Sequence, residues 1–375
     1  MQPLSGVLVL DFTTLLPGPL ATLMLAEAGA EVIKMERPGG EDMRVMPPRL
    51  GEEAAVFALL NRGKKSLVVD LKNENDRNRL RPLLEKADVV VEQFRPGVME
   101  RLGLGFEAVK AINPRIVYCS ISGYGQQGPR AGEAGHDINY QAATGLLALQ
   151  PGPIDRPVIP PGLIADIGGG TMPAVINILL GLRQRDATRQ GVYLDVAMTD
   201  AMFTFAWYAY AIGHATGTFP AAGELRLVGG SPRYQLYPTR DGKLLACGAL
   251  EQKFWLAFCN TIGLPAALMN DLADPAATKA AVAELVARET AEHWRPKLAA
   301  ADCCATIMAT LEDALHDPHF VERGLFAHTV AGPLGHTMPA LPMPIAETLR
   351  ETPGVKASPK LGADTEALLK ALPRA

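Results

Sequence analysis

Residues 7–37 read VLVLDFTTLLPGPLATLMLAEAGAEVIKMER, and this stretch decides the fold. Val7-Leu8-Val9-Leu10 is apolar on both faces and ends at Asp11, as a buried strand does. Leu16-Pro17-Gly18-Pro19 punctuates the chain, residues 20–28 have helical composition, and Glu31-Val32-Ile33-Lys34-Met35 returns as a second strand. The alternation continues outward through Ser66-Leu67-Val68-Val69-Asp70, Ala87-Asp88-Val89-Val90-Val91 and Arg115-Ile116-Val117-Tyr118-Cys119-Ser120. Continuous apolar strands separated by helices predict an α/β fold with a buried parallel sheet.

Farther along, Gly168-Gly169-Gly170 opens a helix predicted over residues 166–185, with Met172, Val175, Ile176, Leu179 and Leu182 on one face and Pro173 in the first turn. Composition changes near Phe219. Residues 234–250 carry an Asp241-Gly242 turn signal and read as a hairpin, followed by helical segments to about residue 310. This second part reads as a smaller α+β domain, so the expected division is 1–218, 219–325 and a closing segment 326–375. Within that segment residues 333–353 are proline-rich and expected to be extended, and residues 365–372 read as a last helix.

The length of 375 residues suits two domains. A hydrophobic share of 48% with 20% charged residues excludes a disordered chain, and a net charge of −4 excludes a general nucleic-acid binder. An anionic ligand must then be met by local cations. The N-terminus has no basic leader and the apolar runs are broken by glycine, proline and charge, so no signal peptide, no membrane span and no membrane partner are expected. Five cysteines without C-x-x-C spacing suit free thiols in a cytoplasmic protein.

The first turn lacks G-x-G-x-x-G, and neither a phosphate-binding G-x-x-x-x-G-K motif nor a G-x-S-x-G elbow occurs. His316 and His319 sit at i, i+3 around a proline with no third ligand, so no metal is expected. Three other places carry more. Gly135-His136-Asp137-Ile138-Asn139-Tyr140 sets a histidine between a glycine and an acid, where a loop histidine or a proton-transfer group would both fit. Ala165-Asp166-Ile167-Gly168-Gly169-Gly170 sets a carboxylate before a helix start, as a cap or as a reacting group beside free backbone N–H donors. Gly248-Ala249-Leu250-Glu251 leaves an acid after an apolar strand, where a helix cap is the default.

These three places, in this order and spacing, resemble the family III CoA-transferases, and the Gly135–Tyr140 motif resembles that of the racemase branch acting on 2-methylacyl-CoA thioesters. The resemblance also runs through Pro17-Gly18-Pro19, residues 32–38, residues 61–67, Phe94-Arg95-Pro96-Gly97, residues 122–129, residues 191–198 and Gly229-Gly230-Ser231-Pro232-Arg233-Tyr234. It implies a large Rossmann-like domain, a small domain, and a terminal segment that returns to the large one. It further implies an interlocked homodimer whose sites form between the large domain of one chain and the small domain of the other. By motif, Arg37, Asp70, Leu71, Lys72, Arg95 and Arg101 would line the CoA site, and Gly135, Asp137 and Tyr140 the thioester end. No cofactor beyond the CoA moiety of the acyl-CoA substrate is implied.

Racemisation needs one group to take a proton from one face of the alpha carbon and another to deliver one to the opposite face. The resemblance assigns these roles to His136, for the 2S form, and Asp166, for the 2R form, with Glu251 orienting His136. Backbone N–H groups near Asp166 or on the following helix would receive the enolate oxygen. Two rival readings stand beside this one. In a CoA-transferase Asp166 would instead be a nucleophile carrying an aspartyl-CoA thioester; a non-catalytic acyl-CoA binder would need none of the three side chains. The chain departs from the racemase pattern at Asp302-Cys303-Cys304-Ala305-Thr306-Ile307, where a proline is expected at the last position. It departs again at Gly362-Ala363-Asp364-Thr365, where the family has Gly-Glu-His-Thr.

Overall fold

The computed structural model describes residues 1–150, 152, 155 and 157–370. The chain divides into two compact units. The first comprises Met1–Thr144, Gly162–Thr204 and Val321–Ala375, and the second Gly145–Pro161 and Phe205–Phe320. The segment 205–218, grouped with the first domain on sequence, therefore belongs to the second unit, as does 145–161.

In the first unit six parallel strands form one sheet: β1 (Leu8–Phe12), β2 (Glu31–Glu36), β3 (Lys65–Val68), β4 (Val89–Glu92), β5 (Val117–Ser122) and β6 (Val192–Ala197). Their order is β3-β2-β1-β4-β5-β6. That is the doubly wound arrangement, with the order reversing between β1 and β4, where such sheets open a crevice beyond their carboxyl ends. Val9, Leu10, Val89, Val90, Val91, Val117 and Ile121 are wholly buried, which is why these strands read as continuous apolar runs. The sixth strand was not among those expected. Only its last two residues are buried, so Val192-Tyr193-Leu194-Asp195 lacks the apolar signature of a central strand.

The helix α1 (Pro17–Glu27) begins three residues earlier than expected, with both prolines in its first turn, where a missing N–H costs nothing. Gly18 permits this tight entry: a methyl group there would come within 2.3 Å of Thr13 Cβ. Beneath the turn lies a buried charge network. Asp11 accepts hydrogen bonds from Thr13 N (2.9 Å), Thr22 Oγ1 (2.6 Å) and Lys64 Nζ (3.1 Å), and Lys64 Nζ also donates to Asn61 Oδ1 and Pro19 O. Burial works against the Asp11 carboxylate, but the Lys64 and Lys34 charges outweigh it and hold its pKa far below the usual range.

The expected helix of residues 166–185 is α4 (Met172–Thr188), and it does not start at the glycines. A π-helical run, Ile164–Thr171, leads into it without a break. Together they make 25 residues long and apolar enough by length and composition to cross a membrane, where no membrane span was expected. Here the helix packs on the sheet, where a methyl at Gly181 would lie 3.0 Å from Val117 and Val192 side chains.

The closing segment also packs in the first unit. Strands β10 (Thr329–Ala331), β11 (Thr337–Pro339) and β12 (Val355–Ala357) form a small sheet, so the proline-rich stretch is partly paired rather than merely extended. A last helix, Thr365–Lys370, covers the open edge of β3: Asp364 Oδ2 accepts from Ser66 N and Thr365 Oγ1 from Val68 N. Residues 371 and 372, expected at its end, lie outside the described residues. In the second unit β7 (Gln235–Pro238), β8 (Leu244–Cys247) and β9 (Ala305–Ile307) pair antiparallel in the order β9-β8-β7, and the hairpin turns at Gly242 with φ +73°. Their core is filled by Trp255, Phe258, Val282 and Trp294 from helices Gln252–Ile262, Pro275–Val286 and Ala291–Ala301.

Candidate active site

Two cavities open beyond the carboxyl ends of the strands in the first unit. One of 440 Å³ follows β1, β2 and β3 and is lined by Thr13, Lys34, Arg37, Asp70, Leu71, Lys72 and the apolar Phe12, Val69 and Phe94. The other, of 510 Å³, follows β1, β4, β5 and β6 and holds Arg95, Gly135, His136, Asn139, Tyr140 and Asp166. The cavities share Leu15 and Phe94 and so flank the point where strand order reverses. Of the residues expected at a CoA site, Arg37, Asp70, Leu71 and Lys72 meet in the first cavity and Arg95 borders the second. Arg101 lines neither.

Arg37 donates to Gly40 O and pairs with Asp42 at the rim. Lys34 is wholly buried, donating to Thr13 O and paired with Glu41. Lys72 is exposed. The cavity joins an apolar floor to charges of both signs, with Lys34, Arg37 and Lys72 beside Glu36, Glu41, Asp42 and Asp70.

His136 stands exposed before the short helix α3 (Asp137–Ala143), and its own N–H is held by Asn139 Oδ1 at 3.0 Å. Tyr140 is buried, donates to Gly135 O at 2.6 Å, and fits only because Gly123 and Gly135 carry no side chain; methyls there would fall 2.4 and 2.7 Å from its ring. Asp137 points inward. Its Oδ1 accepts from Ala165 N (2.7 Å) and Asp166 N (3.0 Å), and its Oδ2 from Gln141 Nε2 (2.6 Å). Those two amides are thus taken, and the helix runs through Asp166 rather than beginning after it. The donors expected there for an enolate oxygen are not free: Asp137 occupies the amides of residues 165 and 166, and no helix N-terminus opens at the glycines.

Burial, and next the negative charge of Asp137, raise the Asp166 carboxyl from 3.8 to about 6, against the opposing pull of His136. Burial likewise pushes the Tyr140 hydroxyl up to about 12. A carboxyl near 6 is balanced between giving and taking a proton at neutral pH.

Glu251 lies in the second unit, at the N-cap position of the helix Gln252–Ile262, yet its side chain makes no capping bond and is exposed. The segment around it is held from both sides. Arg226 and Arg233 both donate to Leu250 O, and Arg233, itself paired with buried Asp271, also reaches Gln252 Oε1 at 2.8 Å. Sequence reasoning did not single out Arg233, although it stands in the Gly229–Tyr234 motif. His316 bonds Glu312 O through Nδ1, as a local helix contact.

A doubly wound sheet with an acidic group and a histidine at its switch point, next to a cleft lined by apolar and charged side chains, sets the candidate site where folds of this class bind their ligands. The chain belongs to CoA-transferase family III, whose sequence model matches residues 4–365. Among its relatives, alpha-methylacyl-CoA racemase of Homo sapiens is 33% identical over 370 residues, covering 98% of this chain and 92% of that protein. Acetyl-CoA:oxalate CoA-transferase of Acetobacter aceti is 33% identical over 380 residues, covering 98% and 95%. The crystal structure of a CaiB/BaiF family protein from Brucella suis superposes with a TM-score of 0.84 at 30% identity, covering 99% of this chain and all of that one. The family contains both racemases and CoA-transferases.

Proposed function

We propose that the protein inverts the alpha carbon of 2-methyl-branched acyl-CoA thioesters by moving protons on opposite faces of an enolate. The observation that carries this reading is the pairing of His136 with an Asp166 carboxyl poised near 6 on one cavity. At pH 7 roughly one Asp166 in ten is protonated, so the group serves as base in one direction and acid in the other. Asp166 takes the proton of the 2R form and His136 that of the 2S form. CoA lies along the first cavity, with Arg37 and Lys72 near its phosphates, and nothing beyond its CoA moiety is required. Glu251 orients His136 and is supplied by the second chain of an interlocked dimer. The five unpaired cysteines suit a cytoplasmic location.

The rival is a CoA-transferase in which Asp166 attacks the thioester, and the identity shared with the oxalate enzyme favours it as much as the racemase identity favours inversion. One experiment separates them. In deuterated water, wild-type protein given a 2-methylacyl-CoA without acceptor should wash deuterium into the alpha position and form no adduct. Mass gain at Asp166 without alpha-deuterium would establish the transferase instead. With inversion, His136→Ala and Asp166→Ala each abolish racemisation while exchange survives for the enantiomer facing the remaining base. Activity lost to a chelator and restored by one particular metal would overturn the cofactor-free scheme.

A further inference from the structure

We infer that Asp137 is a positioning residue for Asp166, tying the segment that carries His136 to the segment that carries Asp166 and keeping a second negative charge behind the reacting carboxyl. The inference rests on Asp166 being the group that reacts with substrate.

Asp137 is only 5% exposed, and both its oxygens are spent inside the protein. Its Oδ1 takes two amides that lie 28 and 29 positions away, Ala165 N and Asp166 N, so one oxygen fixes the start of the π-helical run on α3. Its Oδ2 takes Gln141 Nε2 one turn along α3. Hydrogen bonding alone does not call for a charge at this place. An asparagine could accept the same two amides through its oxygen and, with the Gln141 amide turned over, donate to Gln141. A carboxylate instead brings a negative charge into the interior beside another acid, which is costly unless neighbouring donors or a function offset it.

The groups facing Asp166 are few. His136 acts from the cap position before α3, Asp137 and Tyr140 from α3, and Glu133 and Arg95 line the same cavity from the loops before α3 and after β4. Among these Asp137 is the one that bonds the Asp166 backbone. Its charge acts in the same direction as burial on the Asp166 proton, while its hydrogen bonds fix where that carboxyl stands. Geometry and charge state are thus set by one side chain.

The test is carbon-13 NMR of aspartate carboxyls in the full-length protein, with the Asp166 signal assigned by its loss in Asp166→Asn. In Asp137→Asn the Asp166 midpoint should fall by about half a pH unit or more, without reaching the ordinary range because burial persists. The acid limb of alpha-deuterium exchange should move with it, and kcat should change more than KM. Asp137→Glu keeps the charge but displaces the loop, so it should hold the midpoint high while lowering kcat. Asp137→Ser, smaller and neutral, gives the same comparison if asparagine is not accommodated. A midpoint unchanged in both neutral variants, or lowered equally by glutamate, would overturn the inference. The titration does not need turnover: absent exchange in the wild type would remove the racemase reading and leave the midpoint comparison decisive for Asp137.

Discussion

At the scale of residues, the fold tolerates ionisable groups where most chains bury none. Glu92, at the carboxyl end of β4, is 4% exposed, and burial raises its carboxyl from 4.5 to about 7. Its folded value lies above the unfolded one, so its contribution to stability is complete below pH 4.5 and is lost as pH rises through about 7. Glu92→Gln should therefore match the wild type in stability at pH 4 and exceed it by on the order of 2 kcal/mol at pH 8–9. Urea unfolding across that range checks this, and a gap that narrows with pH would refute it. Asp11 works the other way, its paired carboxylate supplying stability above its unfolded pKa that is lost on acidification. His136, Asp166 and Glu251 came forward as candidates through the family resemblance, since taken singly each reads equally as a loop residue or a helix cap. Asp137's inward bonds were not legible in the sequence, since which way a residue beside His136 points is settled by a partner 28 positions away.

At the scale of elements, the closing segment is bound by ion pairs as well as by the buried apolar side chains Val330, Ala340 and Met343. Glu27 on α1 receives Arg62 from the end of the helix Ala55–Asn61 at 2.6 Å, and also Arg350 from the closing segment. Arg62 in turn donates to Leu341 O at 3.0 Å. Arg62 and Glu27 side chains are each 1% exposed and Glu27 holds both arginines, so removing Glu27 leaves buried Arg62 without its carboxylate. Glu27→Ala should cost about 3–5 kcal/mol, and Arg350→Ala less, because Arg62 would still neutralise Glu27. Equal, small losses in urea unfolding would show that the clamp is not what holds the segment. The central strands were readable as apolar runs. The edge strand β6 was not, nor was the π-helical lead into α4, because the three glycines read as the opening of the helix when the helical run already passes through them. Asp364 shows the converse. A departure from the family pattern proved compatible with the fold, since its carboxylate takes the Ser66 amide at the sheet edge.

At the scale of the whole molecule, each unit has its own core and leaves large apolar side chains in water. In the first unit Ile176, Leu179 and Leu180 on α4 are 44–62% exposed, and in the second Phe205, Trp207 and Tyr210 are 49–60% exposed. Surfaces of this kind favour covering by another chain. With an interlocked pair, every active site would draw Asp166 from one chain and Glu251 from its partner. Co-expression gives a direct test, because a threaded dimer must assemble as it folds. Chains carrying Asp166→Asn and chains carrying Glu251→Gln, with different tags, would combine into homodimers and mixed dimers. In a mixed dimer one site receives both defects and the other receives none. Half of random dimers are mixed and each holds one intact site of two, so activity should return to about a quarter of wild type under two-fold symmetry. After purification through both tags it should rise to about half. If each site lies within one chain, a mixed dimer has one defect in each site, and the doubly tagged fraction would show no more activity than the average of the two parent variants. That result would remove the shared site while leaving the chemistry proposed for His136 and Asp166 untouched.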